Sequence, residues 1–320
     1  MMHIGVIDTM NQKGINLLKN NHKFTFEIIT NLSKENILAK IPTFDGITLR
    51  RGIIDEDIIN NAQKLKVIAR HGVGYDNVDL EALNKKGIKL LVTHNSTSTS
   101  PAEHAFFMIM NIYKGRDLFD KMVREGNFHK ALHLKIDDNF ELYGKKILIV
   151  GFGRIGKKLI KKCLGFDMQV LVYDPYVDDS IVNSLGGIKV DNLSEGMKIC
   201  DILSLSLPFN RDTKNLINFK NISLMKNSAI IINIARGGIV NEIELDRALN
   251  EKLISFAGID VFEKEPPDKN NPLLRNPRVV LSPHAATFTK ECLEQMSVET
   301  VQNVIDFFDK SIDPVKIINK

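Results

Sequence analysis

Strand-like Lys146-Ile147-Leu148-Ile149-Val150 runs directly into Gly151-Phe152-Gly153-Arg154-Ile155-Gly156, and a helix-forming, lysine-rich segment follows. Glycines at this spacing between a strand and a helix suit a pyrophosphate. They allow a tight turn, close approach of the backbone and tight helix packing, while the helix N-terminus offers free N–H donors and partial positive charge. Asp174 closes the next strand, Val170 to Tyr173, about 20 residues after Gly151, where an acid meets the adenosine ribose hydroxyls. A carboxylate there repels a 2′-phosphate, and no arginine stands in Pro175-Tyr176-Val177, so this pattern favours NAD over NADP. S-adenosylmethionine enzymes also combine a glycine loop with a ribose acid, so the loop alone leaves the reaction open.

Three side chains at the ends of later strands supply what a hydride-transfer site needs. Hydride delivered to a carbonyl leaves an alkoxide, which requires a proton donor near neutral pH, and an acidic substrate requires a cation. Arg236 follows Ile230 to Ala235 and precedes Gly237-Gly238; Glu265 stands in Asp260-Val261-Phe262-Glu263-Lys264-Glu265-Pro266-Pro267; His284 stands in Ser282-Pro283-His284. Strand C-termini are where open parallel sheets bind ligands. Taken singly, each residue has a bland alternative: a surface turn, a solvated charge, a satisfied loop histidine. All three on one sheet that already carries a phosphate loop make the catalytic reading the stronger.

The elements that must position these residues form two series. His3 to Ile7, Phe24 to Thr30, Gly46 to Arg50, Lys66 to Arg70 and Ile88 to Val92 read as strands, separated by helical stretches such as Asp55 to Ala62 and Asp79 to Lys86. From Pro101 a helix opens with proline in its first turn, and its near-continuous apolar character suggests burial between two bodies. A second series comprises Lys146 to Val150, Val170 to Tyr173, Ile202 to Leu205, Ala229 to Asn233, Phe256 to Ile259 and Val279 to Leu281. The expected fold is therefore α/β, with two Rossmann-like or flavodoxin-like parallel-sheet domains separated by a cleft. Residues 1–100 with 289–320 form one domain and 101–288 the dinucleotide-binding domain, the last helix, about Lys290 to Asp309, returning to the first. The charged stretch Asp117 to Tyr143 reads as an excursion from the sheet and an oligomer contact.

Composition narrows the partners. The chain has 320 residues, enough for about two domains. Its 43 basic against 39 acidic residues leave a net charge of only +4, with no basic block to neutralise a row of phosphates. This argues against a nucleic-acid or membrane-surface partner. No apolar run approaches the ~20 residues a bilayer requires, and Met1 to Ile7 passes straight into a strand pattern, so no export signal is expected. Cys163, Cys200 and Cys292 are widely spaced in apolar contexts, which suits neither a disulfide framework nor a metal cluster. A reducing cytoplasm is the expected setting.

With these residues assembled, the sequence from about Gly46 onward resembles the D-isomer-specific 2-hydroxyacid dehydrogenases, the group that includes D-3-phosphoglycerate dehydrogenase. The resemblance rests on Ala69 to Asp79, the glycine loop with Tyr173-Asp174-Pro175, Leu207-Pro208 with Thr213, Asn233 to Gly238, Asp260 to Pro266 and Ser282-Pro283-His284. It implies that His284 is the general acid and base and Glu265 its partner, a carboxylate that fixes the ring's tautomer and keeps a proton available for the keto oxygen. Arg236 would bind the substrate carboxylate through its planar fork, joined by the backbone N–H groups of Val73 and Gly74. Asp260 would lie near the nicotinamide carboxamide, Arg154 and Ile155 would present amides to the pyrophosphate, and Pro208, Thr213, Ile234 and Ala235 would line the cofactor cleft. The implied substrate is a small 2-hydroxy or 2-keto acid and the implied assembly a homodimer.

Some positions depart from the group's pattern. Val92 to Glu103 lacks an Asn-x-Pro and a glycine common before the Ala-Glu of the helix, and Ala285-Ala286 follow His284 where many relatives place glycine. A further regulatory domain is not expected at this length. His104 reads as structural, His71 and His94 lie in or beside the expected cleft, and His129 and His133 read as surface residues. Arg50 and Arg51, after the third strand, could meet a substrate phosphate, as in D-3-phosphoglycerate; glyoxylate, hydroxypyruvate or D-lactate-type substrates are the alternatives. Formate dehydrogenases pair the histidine with glutamine, which Glu265 opposes. Corepressors of the same fold bind NAD and partner proteins, and stand as the alternative from outside enzymology.

Overall fold

The computed structural model describes residues 1–94, 96–133 and 140–320. It divides into two compact units, Met1–Thr97 with Thr287–Lys320, and Ser98–Ala286. Asn95 and residues 134–139, parts of the departing stretch and of the charged excursion, lie outside the described residues.

The first unit is built on strands β1 (Met2–Ile7), β2 (Phe24–Ile29), β3 (Gly46–Leu49), β4 (Val67–Arg70) and β5 (Lys89–Leu91), all parallel in the order β2-β1-β3-β4-β5. Strands buried on both faces need continuous apolar runs, and here Ile4, Val6, Ile47, Leu49, Val67 and Ile68 are fully buried. The helix Lys290–Phe308 covers β3 and β4 through Val301, Val304 and Ile305. The strand order reverses between β1 and β3, so Asp8 and Arg50 follow the two strands that flank the switch point.

The second unit carries β6 (Lys146–Val150), β7 (Gln169–Tyr173), β8 (Ile188–Lys189), β9 (Ile202–Leu205), β10 (Ile230–Asn233), β11 (Phe256–Ile259) and β12 (Val279–Leu281). They are parallel in the order β12-β11-β10-β9-β6-β7-β8. Successive residues point to opposite faces, and each face has its own core. Leu148, Val150, Leu203, Leu205 and Ile231 build one. Ile147, Ile149, Ile202, Ile230 and Ile232 build the other, against Ala105, Met108 and Ile109 of the helix Thr99–Lys114. Reversal between β6 and β9 puts this unit's switch point where the glycine loop leaves β6.

Two local expectations are corrected. The helix expected from Pro101 begins at Thr99, so Pro101 is its third residue, still within the turn whose N–H groups lack helical partners. The short edge strand β8, with Ile188 exposed, is absent from the sequence reading because two residues after Gly187 give no periodic signal. Within the excursion, Arg116–Arg124 and Phe128–Leu132 are helical. No helix among the described residues is long and apolar enough to cross a membrane.

Candidate active site

The second unit gathers most of the expected residues at the C-terminal ends of its strands. After β6, Gly151 takes a φ of +89°, and a Cβ there would lie 2.5 Å from the carbonyl oxygen of Ser206, where the chain leaves β9. Only glycine meets both constraints. Gly156 approaches Gly151 equally closely, a Cβ coming within 2.6 Å of its carbonyl oxygen. Gly153 differs: a Cβ on it would meet no protein atom within 4 Å. It caps the helix Arg154–Leu164 without a side-chain hydrogen bond. Open space beside the first turn of this helix, where the backbone of Arg154 and Ile155 begins it, fits an incoming pyrophosphate. The Asp174 carboxylate accepts the Phe152 N–H at 2.7 Å and the Tyr176 N–H at 2.9 Å, which orients it beside the loop while leaving lone pairs for ribose hydroxyls.

Beyond β9, the Thr213 hydroxyl donates to the Pro208 carbonyl at 2.8 Å and accepts the Asn210 N–H at 2.8 Å, closing the loop that holds both expected lining residues. Ile234 and Ala235 are almost fully buried. Asn233 ends β10 and turns the chain: its side chain accepts the Ala235 N–H at 3.1 Å and donates to the Arg236 carbonyl at 3.0 Å. Gly237 then packs against the backbone of Phe262 and Glu263, where no Cβ would fit. The loop bearing Arg236 is thereby seated on the loop bearing Glu265.

His284 Nδ1 lies 2.7 Å from Glu265 Oε2, and the other Glu265 oxygen accepts the Phe262 N–H at 3.1 Å. Burial pushes the Glu265 carboxyl up. The hydrogen bond and charge of His284, the Phe262 N–H and the Arg236 charge outweigh burial and hold it below its ordinary 4.5. An ionised Glu265 only accepts, so Nδ1 carries the shared hydrogen and Nε2 is the ring's other working end. His284 adopts a φ of +52°, unusual for a residue with a side chain.

Asp260 is fully buried beneath this pair. Its carboxylate accepts Ser282 Oγ at 2.5 Å, the Ala285 N–H at 2.7 Å and the Ala286 N–H at 3.1 Å, and its carbonyl accepts the His284 N–H at 2.7 Å. Both carboxylate oxygens thus serve the loop that carries His284, an engagement that sequence spacing does not suggest. Glu242 is a further residue the sequence reading missed: its carboxylate accepts the Glu263 N–H at 2.6 Å and braces the Glu265 loop from the helix Glu242–Asn250.

The remaining expected residues belong to the first unit. Arg70 Nε donates to the Gly74 carbonyl at 2.8 Å, and its Nη1 to the carbonyls of Leu49 and Arg50, both at 2.7 Å, tying the loop of Val73 and Gly74 to the end of β3. Arg51 forks onto the buried Asp8 at 2.5 and 3.2 Å. Arg50 donates to the Thr9 carbonyl at 3.1 Å and lies 4.0 Å from Asp8. His71 is buried nearby; His94 contributes its backbone N–H to Glu299 at 2.8 Å.

Residues 106–286, more than half the chain, match the family model for the D-isomer specific 2-hydroxyacid dehydrogenase, NAD binding domain. The chain belongs to this family. Its second unit contains the dehydrogenases' NAD-binding domain, and relatives act on the CH–OH group of their donors. The sequence is 37% identical over 292 residues to D-3-phosphoglycerate dehydrogenase of Methanocaldococcus jannaschii, covering 91% of this chain and 54% of that one. The chain therefore spans about half the length of that relative. It is 35% identical over 318 residues to glyoxylate reductase of Pyrococcus furiosus, covering 97% of this chain and 93% of that one. A solved protein of Thermus thermophilus superimposes with a TM-score of 0.89 at 27% identity, covering 99% of this chain and all of the other.

Proposed function

We propose that this dehydrogenase interconverts a D-2-hydroxy acid and its 2-keto acid with NAD as cofactor. The observation that carries the reading is the 2.7 Å pairing of His284 with Glu265 on the sheet that bears the dinucleotide loop. Bound NAD(H) supplies or receives the hydride. In reduction, His284 passes the proton on Nε2 to the oxygen that was the carbonyl, while Glu265 stabilises the imidazolium through Nδ1–H and keeps Nε2 free for substrate. In oxidation the neutral ring takes that proton back. Arg236 binds the substrate carboxylate and polarises the adjacent carbonyl; in the first unit, the amides of Val73 and Gly74 are the proposed substrate contacts. Gly151, Gly153, Arg154, Ile155 and Gly156 hold the pyrophosphate, Asp174 the ribose, with Pro208, Thr213, Ile234, Ala235 and Asp260 around the remainder.

D-3-phosphoglycerate is the substrate that Arg50 favours. Arg50 follows the strand at the first unit's switch point, where ligands of open sheets bind, and its side chain is a quarter exposed (26%). Glyoxylate or hydroxypyruvate is favoured instead by Asp8, whose carboxylate offsets one of the two arginine charges. A cytoplasmic homodimer completes the proposal: Leu118, Val123, Phe128 and Leu132 expose apolar side chains on the two helices of the excursion. A panel of 2-keto acids read by loss of NADH absorbance tests the function. Tight NADH binding without turnover of any member would instead favour an NAD-sensing binding module.

A further inference from the structure

A second imidazole, that of His104, meets the Asp260 carboxylate in the same unit, and the proton transfer above does not run through it. His104 lies on the helix Thr99–Lys114 with Nε2 at 3.0 Å from Ser282 Oγ and 3.4 Å from Asp260 Oδ1. Ser282 Oγ is 2.5 Å from the same Asp260 oxygen. One helical turn before His104, Ser100 Oγ donates to the Ala286 carbonyl at 2.6 Å, so one face of this helix grips both ends of residues 282–286.

The hydrogens can be assigned by counting. An ionised carboxylate only accepts, and a hydroxyl has one hydrogen to give. Ser282 therefore donates to Asp260, and an Nε2 at hydrogen-bond distance from that same hydroxyl oxygen must carry a hydrogen of its own. The loop so held contains His284, whose left-handed backbone persists only where its surroundings over-determine it.

We propose that His104 is a positioning residue for His284, its Nε2–H completing a clamp through Ser282 and Asp260 that keeps the His284 ring on Glu265. The proposal rests on the dehydrogenase reading above. His104→Gln retains an N–H donor of similar reach, whereas His104→Leu removes the donor and keeps apolar bulk. In His104→Leu, kcat should fall on the order of 10-fold to 100-fold with NADH Kd and keto-acid KM within about twofold, while His104→Gln keeps most of kcat. Equal losses in both variants, or full kcat in His104→Leu, would overturn the role. Independently of turnover, ¹⁵N spectra of the histidine rings in the wild-type protein without cofactor should show Nε2 of His104 protonated. A bare Nε2 would overturn this role alone; no turnover of any 2-keto acid by the wild-type protein would overturn the dehydrogenase reading and this role with it.

Discussion

His284 receives its two constraints from two different acids: its ring meets Glu265 at 2.7 Å, while its backbone N–H donates to the carbonyl of Asp260, also at 2.7 Å. Asp260 fixes where the residue stands and Glu265 how its ring is turned. The pair can then be probed without moving the loop.

Glu265→Gln keeps a hydrogen-bond partner for Nδ1 and removes the charge that stabilises the imidazolium. Turnover should drop on the order of 100-fold, with NADH affinity nearly unchanged by fluorescence titration. A variant as fast as wild type would show that the charge is not used.

Gly237→Ala places a methyl group against the backbone of Phe262 and Glu263. Overpacking of this kind costs about 1–3 kcal/mol, which urea denaturation reads as a lower midpoint. The Glu265 loop must shift to admit the methyl group, so kcat should fall as well. An unchanged midpoint would contradict the close seating of the two loops.

His71 supplies a pH signature in the first unit. Burial, followed by the charges of Arg50 and Arg70, pushes its pKa from 6.5 down to about 4, against a smaller opposing pull from its own backbone and Asp8. The unfolded chain therefore takes the proton first. Stability is fully present above pH 6.5 and is lost as pH falls towards 4, by on the order of 3 kcal/mol. His71→Gln should flatten the stability curve across that window. Parallel curves for variant and wild type would contradict the buried, neutral ring.

Arg50→Ala separates the two substrate readings. If Arg50 meets a phosphate, kcat/KM for D-3-phosphoglycerate should fall on the order of 10-fold to 100-fold, while glyoxylate turnover stays within a few-fold. Equal effects on both substrates would remove the phosphate argument.

Much of the architecture was legible because its signals are local. Lys146 to Val150 is a continuous apolar strand between turn residues, and its observed bounds coincide with those read from sequence. The same holds for Ile202 to Leu205, Phe256 to Ile259 and Val279 to Leu281. β8 escaped because a two-residue edge strand has no period. The support around His284 escaped for a different reason. Ser282 and Asp260 meet across 22 residues, and His104 meets Ser282 across 178, through the packing of a helix on a sheet. On an apolar helix, His104 reads simply as a structural residue, and no spacing rule reveals the hydroxyl opposite its Nε2.

Stopped-flow and steady-state NADH oxidation by the wild-type protein and His284→Ala, with NADH Kd measured alongside, is the sharpest test of His284 as the proton donor. The wild-type protein should reduce at least one 2-keto acid, His284→Ala should lose that turnover by a factor on the order of 100 or more, and NADH affinity should be nearly equal in the two. Turnover in His284→Ala at the wild-type rate would contradict that role.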